Sequence, residues 1–543
     1  MRIVLIAPPF TSCYAPLLGP IALTSHLRRY GIEVLPIDAS IEATHALLSP
    51  RHLRDSAARR KLERLWSPDG LDLSERRFAR QIELLDEGLS RGYERCRPAR
   101  LRLGDYAAKY SDLHDESRAP FVRYYREMLF PQIESFSPDI VALSLSYTTQ
   151  ILPALALLDM LRARFAKPII TGGSLLTYLY RDLSPRAQRR IRMEGCPPVL
   201  VPKFKVLYHL VGDFCVLGEG EAPLLQLCRR ISEPERCRKV PGVIWKEASP
   251  PAIVGAPPGA WSPPKGFPPL DLQGWPVGRK YATPIPIAPL EAARGCYWRR
   301  CAFCDHSASI GSAYREIPLE TVTSTLNNYH QAGVRLAMFC QDAMPVSMMR
   351  RLTGWLTTHP LDMSLGTMCR FEKGLLPLIG PASRAGFRFL SFGLESGSPR
   401  IVRLMDKGFS HGVAQDIMAE CAAHGVFVHL FVMFGFPTET EEDAAMTFDF
   451  LERHRQHIHA INVSRWVFEP GSPVARDPER FGLERADPGT FVRRNGITEQ
   501  QADACAKRLR DHPHFKHLVS RSFRHQEYFM IQHLCGGGRL AAG

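Results

Sequence analysis

Cys296-Tyr297-Trp298-Arg299-Arg300-Cys301-Ala302-Phe303-Cys304 follows directly on the strand-like run Ile285 to Ala293. Three thiols spaced C-x4-C-x2-C on one short loop can hold three corners of a four-iron cluster. The fourth iron is then left without a protein ligand and can bind a substrate. Zinc is the competing reading: a closed zinc site wants four protein ligands, and Asp305 and His306 are the nearest candidates to complete it. Beyond the loop, Leu336 to Cys340, Ser364 to Cys369, Phe389 to Gly393, Val426 to Gly435 and Ala460 to Val467 read as strands separated by helical segments. That is an α/β repeat, and a partial (β/α) barrel over residues 282–485 is its natural architecture.

Upstream, residues 248–281 are dense in proline, which removes backbone donors and fixes φ. This stretch is expected to be a linker, neither helix nor interior strand. In front of it, Arg2 to Ala7, a helical run from Pro20 to Tyr30, and Ile32 to Ile37 make a βαβ unit. Asp139 to Ser146 (DIVALSLS) has the near-continuous apolar character of a strand buried in a parallel sheet, with its helix from Leu152 to Phe165. Two more strands end on glycines: Pro168 to Thr171 before Gly172-Gly173, and Phe214 to Leu217 before Gly218-Glu219-Gly220-Glu221. Glycines at the carboxyl ends of parallel strands are where open α/β sheets admit ligands. Residues 1–247 are therefore expected to form a doubly wound, Rossmann-like domain with a polar, Arg-rich helical insertion from about 40 to 134. Residues 486–543 are expected to be a small helical C-terminal region.

A chain of 543 residues exceeds what one hydrophobic core sustains, so it is read as multidomain. Its 45% apolar and 23% charged residues are the balance of a folded soluble protein. No apolar run reaches the ~20 residues of a bilayer span, so no membrane partner is expected. The opening MRIVLIAPPF reads as a first strand and not as a signal peptide. Fourteen cysteines scattered through apparent strands and helices fit a reducing, cytoplasmic setting. The net charge of +14 comes largely from diffuse arginines between residues 51 and 130 and after 485. These read as solvated helix faces; there is no recognition module for DNA or RNA, and nucleic acid is not an expected partner.

The cysteine loop, its placement and the segments after it resemble the radical SAM superfamily. In that family three cysteines ligate a [4Fe-4S] cluster whose remaining iron is chelated by S-adenosylmethionine (SAM). The usual spacing is C-x3-C-x2-C, one residue shorter between the first pair than here. The resemblance makes Cys296, Cys301 and Cys304 the metal ligands and implies no catalytic side chain beyond the cluster. It places Phe303 near the SAM adenine, with capping of the barrel core as the alternative. Glu395, in Ser391 to Ser398 (SFGLESGS), matches the glutamate that accepts from the SAM ribose hydroxyls. Arg370, closing SLGTMCR, is placed to pair with the SAM carboxylate through its planar fork, with a surface ion pair as the alternative. Asp342, after LAMFCQD, stands where the family places polar groups that contact SAM.

The domain in front is similar to that of the cobalamin-binding, class B type members of the family. The matching pieces are IVLIAPPF, Ser144 to Gln150 (SLSYTTQ), Gly172-Gly173 and the GEGE turn. This likeness implies that Ser146, Thr148 and Gln150 face the corrin ring or nucleotide tail, and that Gly172, Gly173, Gly218, Glu219 and Gly220 let the tail lie against the backbone. No DxHxxG follows the first strand, which argues for cobalt without a histidine lower ligand, or for a domain without cobalamin. A nucleotide-binding domain with Asp38 as ribose acceptor competes, but no G-x-G-x-x-G follows the first strand.

The implied function is a radical SAM enzyme that forms a 5′-deoxyadenosyl radical for cobalamin-dependent C-methylation of an unactivated carbon. Its partners would be a small-molecule or peptide substrate and an electron donor such as flavodoxin or ferredoxin. Two alternatives stand beside it. One is radical rearrangement, cyclisation or RNA modification without methyl transfer; the other is a zinc- or cluster-bearing binding protein that is not an enzyme.

Overall fold

The computed structural model describes residues 1–11, 14–47, 121–305 and 314–519, apart from 184–189, 195, 199, 256–265, 279–280, 282, 284, 488–489 and 494. The insertion expected at about 40 to 134 lies mostly outside the described residues. Its two ends are helical, at Ala39–Leu47 and Phe121–Phe136. His306 and the tail beyond 519 also lie outside them.

The first sheet is built from β1 (Arg2–Ala7), β2 (Glu33–Asp38), β3 (Ile140–Ser144), β4 (Ile169–Gly172), β5 (Arg190–Arg192), β6 (Phe214–Val216), β7 (Val243–Glu247) and β8 (Ala252–Gly255). Its order is β2-β1-β3-β4-β6-β7-β8-β5, with the first five strands parallel. Alternate residues face opposite cores, as strand geometry requires. Ile3, Leu5, Ile140, Ala142 and Ile170 pack with Leu27 and Leu224 from the helices Leu18–Arg29 and Glu221–Arg230. Val4, Ile6, Val141, Leu143 and Ile169 pack with Leu155, Leu176 and Leu207 from helices on the other face. Both faces are covered, hence the unbroken apolar runs.

One expectation is corrected here. Strand β8 lies inside the proline-dense stretch read as a linker, yet it pairs with β7 on one side and β5 on the other. Pro250 and Pro251 stop short of Ala252-Ile253-Val254, which keep their backbone donors for the ladder. Farther along the same stretch, Leu270, Leu272 and Trp275 are buried in the core of the second sheet.

That sheet contains β9 (Ile287–Leu290), β12 (Leu336–Phe339), β13 (Ser364–Cys369), β14 (Phe387–Glu395), β15 (Phe427–Phe434) and β16 (Ala460–Arg465), all parallel and in sequential order. Between β9 and β12 a small antiparallel pair forms from β10 (Ala293–Arg294) and β11 (Arg315–Glu316). The sheet is a partial barrel with open edges at β9 and β16.

The C-terminal region is not purely helical, as it was expected to be. A hairpin of β17 (Leu483–Asp487) and β18 (Thr490–Arg493) precedes its helix, Glu499–Asp511. Thr490-Phe491-Val492 favour a strand by their β-branched and aromatic side chains. Past the helix the chain returns to the barrel edge, where Leu518 O accepts the Ile461 N–H at 2.9 Å and covers part of β16. Among the described residues no helix is long and apolar enough to cross a membrane.

Candidate active site between the two sheets

The carboxyl ends of the two parallel sheets face a common cavity of about 810 Å³. From the first sheet it is lined by Ser146, Tyr147 and Thr148 after β3, Gly172 and Gly173 at β4, and Gly218, Glu219 and Gly220 after β6. From the barrel come Cys340, Gln341 and Asp342 at the end of β12, with Gly295 and Asp305, which flank the cysteine loop.

The residues expected to touch cobalamin divide into three groups. Ser146, Thr148, Gly218 and Gly220 line the cavity. Gly172 and Gly173 line it too, but Gly173 has a further structural reason. At its φ of 115° an added Cβ would sit 2.1 Å from the carbonyl oxygen of Leu145. Gln150 and Glu219 are committed elsewhere. Gln150 is fully buried; its Oε1 accepts from the N–H groups of Ser146 and Tyr147, and its Nε2 donates to Pro8 O at 2.7 Å. It therefore shapes the loop that lines the cavity and does not line the cavity itself, which corrects the expected corrin contact.

Glu219 pairs with Arg294 at 3.0 Å and also with Arg315. Arg294, which the sequence reading did not single out, is the hub of this joint. Its guanidinium also meets Glu221 at 2.5 Å and Glu291 at 2.7 Å, and every one of these side chains is largely buried. Burial pushes the Glu221 carboxyl up, and the Arg294 charge more than offsets it, leaving Glu221 below the usual carboxylate range. For Glu291 burial wins, and its affinity for a proton is raised. One arginine thus ties the GEGE turn of the first domain to the start of the barrel.

The cysteine loop turns back through Arg299, whose φ is 53°, within the five-residue step from Cys296 to Cys301. It is pinned by the Ala302 N–H to Met405 O at 2.8 Å and by the Trp298 indole N–H to Asp406 O at 2.7 Å. Tyr297 donates to Glu372 at 2.6 Å. Burial raises the Cys301 thiol, while the cations of Lys407 and Arg370 act in the opposite sense. Arg370 lies over the Trp298 ring at 4.0 Å and directs Nη1 to Cys301 Sγ at 3.9 Å.

The donor set fits a cluster better than zinc. Ligands of one tetrahedral zinc stand within ~4 Å of each other. Among the described residues the grouping of three such atoms within 4.8 Å is elsewhere, at Glu452, His512 and His514. Asp305, a candidate fourth zinc ligand, is paired with Arg181 of the first domain at 2.6 Å. Cationic donors beside the thiols suit an anionic iron-sulfur centre.

Three of the four residues expected to contact SAM gather beside the loop around Lys407. The Lys407 Nζ meets Glu395 Oε1 at 3.0 Å and stands 5.5 Å from the Phe303 ring, and its carbonyl accepts from Arg370. Glu395, at φ 62°, ends β14 in the left-handed region, where a register shift turns the strand out of the ladder. A Cβ at Gly393 would lie 2.5 Å from Glu395 Oε1 and 2.6 Å from Lys407 Nζ, so a larger residue there would push the ends of the pair aside. Phe303 also packs on the small core of Ala302, Met405 and Trp466. Asp342 stands apart, on the cavity wall. Lys407 left no signal in the sequence, because its partner approaches from a different element.

Asp38 is not a nucleotide acceptor. It is buried, its Oδ1 accepts from the N–H groups of Ser40 and Ile41, and its Oδ2 takes the Tyr281 hydroxyl at 2.6 Å.

No protein-family model matches the chain. It is 24% identical over 333 residues to an uncharacterized methyltransferase, PH0819, of Pyrococcus horikoshii, covering 59% of this chain and 65% of that protein. It is 28% identical over 256 residues to the ribosomal protein uS12 methylthiotransferase RimO of Salmonella arizonae, covering 42% of this chain and 55% of the relative. The chain thus spans less than two thirds of either relative. Its fold, a Rossmann-like domain followed by a partial barrel, is that of the cobalamin-dependent radical SAM enzymes. In particular it resembles the radical SAM methyltransferase TsrM from Kitasatospora setae, whose structure has cobalamin and a [4Fe-4S] cluster bound. The TM-score is 0.57 at 15% identity, over 90% of this chain and 76% of that one. The cobalamin-dependent radical enzyme OxsB with aqua-cobalamin bound gives 0.57 at 13% identity, over 93% and 66%.

Proposed function

We propose that this protein is a cobalamin-dependent radical SAM methyltransferase that methylates an unactivated carbon of a small-molecule or peptide substrate. The observation that carries the reading is the shared cavity, which opens from the carboxyl ends of both sheets onto the residues flanking the cysteine loop. Cys296, Cys301 and Cys304 would hold the cluster. Ser146, Thr148, Gly172, Gly173, Gly218 and Gly220 would border the corrin and its tail. When bound, the cluster supplies the electron that cleaves SAM, and cobalamin supplies a methyl carrier.

The chain's own groups do the positioning. Arg370 places positive charge beside Cys301, Glu395 and Lys407 fix the end of β14, and Arg294 holds the two domains across the cavity. A one-electron donor such as flavodoxin or ferredoxin would serve the cluster. A cytoplasmic location is supported by eleven free cysteines among the described residues.

The test is anaerobic reconstitution, with iron, sulfide and cobalt measured together in wild type and Cys301→Ala. About four irons per chain, bound cobalamin, SAM cleavage under reductant and a methylated product are expected in wild type. The variant should lose iron and SAM cleavage. Iron and cleavage that survive Cys301→Ala would overturn the cluster assignment. SAM cleavage without cobalt or a methylated product would point to rearrangement, cyclisation or RNA modification instead.

A further inference from the structure

Outside the cavity, the structure brings two histidines and a carboxylate together on the far side of the barrel. Glu452 stands in the last turn of the helix Glu441–Arg453, which follows β15. His512 is the C-cap of the helix Glu499–Asp511, and His514 lies two residues on. Their ligand atoms all fall within 4.8 Å of one another. These residues come from elements separated by β16 and the β17–β18 hairpin, so the cluster is a product of the fold and not of a local repeat.

Three features suit it to a cation. The carboxyl ends of two 13-residue helices converge there, each carrying partial negative charge. Glu452 Oε1 already meets His514 Nδ1 at 2.6 Å, while its Oε2 is buried with no hydrogen-bond partner among the described residues. A cation also occupies the neighbourhood. The guanidinium of Arg455 lies 2.9 Å from Glu452 Oε1 and 3.1 Å from His514 Nδ1, and its side chain is 52% exposed, free to swing into solvent.

We propose that Glu452, His512 and His514 form a second metal site, specific for a divalent transition cation of the zinc type, with water as fourth ligand and Arg455 displaced on binding. Two imidazoles and one carboxylate are a donor set for zinc and not for calcium or magnesium, which prefer all-oxygen shells. The ion would staple the C-terminal segment to the barrel. His512 packs on the buried Phe515, and the chain just beyond covers β16, the open edge of the sheet. This inference does not depend on the proposed methyl transfer.

Equilibrium dialysis of the untagged, cluster-loaded full chain against zinc tests it, with zinc and iron quantified together and the melting temperature followed. One zinc per chain is expected in addition to the cluster iron, with a rise in melting temperature that follows zinc concentration. Glu452→Gln and His512→Ala should each weaken binding about tenfold or more without loss of iron, and Arg455→Gln should strengthen it. Wild type that takes up no more zinc than the His512→Ala, His514→Ala double variant would overturn the site. So would uptake abolished by Cys301→Ala alone, which places the zinc on the cysteine loop.

Discussion

Arg370 directs its guanidinium to the sulfur of Cys301 at 3.9 Å, at the carboxyl end of β13. The contact is held from behind by the Trp298 ring, so loop and barrel strand are locked together at the point where the cluster would sit. Donors to the sulfurs are one of the levers that set cluster potential.

Replacing Arg370 with Met should therefore leave iron content near wild type and make the reduction potential more negative. Loss of a hydrogen bond to a charged group costs ~1.5 kcal/mol or more, and a one-electron couple moves by about 60 mV for each tenfold change in its equilibrium constant. A shift of roughly that size, read by redox titration with paramagnetic resonance, is expected. An unchanged potential would show that the contact does not reach the cluster.

Lys407→Met should destabilise the barrel by about 3 kcal/mol, because it strands the buried carboxylate of Glu395. The double variant Glu395→Gln, Lys407→Met should recover much of that loss, since neither charge then remains. Denaturant titrations of the single and double variants measure the difference. SAM affinity should fall in both, as the end of β14 loses its anchor.

At the domain joint, Arg294→Met leaves Glu219, Glu221 and Glu291 facing one another, with Arg315 still paired to Glu219. Like charges in a poorly solvated space repel, and a loss of about 3 kcal/mol or more in domain docking is expected. Small-angle scattering should show a wider chain, and cobalamin binding should weaken while iron content is kept. Arg294→Lys should rescue only partly, because an ammonium cannot bridge three carboxylates as a planar fork does.

The burial of Asp38 predicts a pH dependence of definite sign. Burial raises the Asp38 carboxyl to about 6 from 3.8, while the Tyr281 hydroxyl and the Ile41 and Ser40 N–H groups pull it down. The folded protein thus holds this proton more tightly than the unfolded chain. The resulting stability is complete below the unfolded value and lost as pH rises through the folded one. At 1.36 kcal/mol per unit the loss is about 3 kcal/mol. Relative to Asp38→Asn, wild type should lose stability between about pH 4 and 7 and run parallel above that. Urea midpoints across that range check it; parallel curves throughout would refute the assignment.

Much of the fold was legible because its signals are local. The run IVALS is buried at every position and forms β3, and SLGTMC forms β13 with the bounds read from its pattern. The β8 strand was missed because the prolines before it mask a four-residue stretch that is free to pair. The candidate site divides along the same line. Ser146 and Thr148, in the segment just after β3, line the cavity, whereas Gln150, two residues on from Thr148, turns inward to satisfy the backbone of its own loop.

The sequence by itself determined the donor set and its loop: three thiols within nine residues, and glycines closing parallel strands, are properties of spacing and backbone freedom. Only the tertiary structure decided which charges meet. Arg294 finds Glu219 across 75 positions and Glu221 across 73, and Lys407 finds Glu395 from the far side of a helix. A buried charge must have a partner, but nothing in its immediate neighbours along the chain says where that partner is; the packing of the two sheets chooses it.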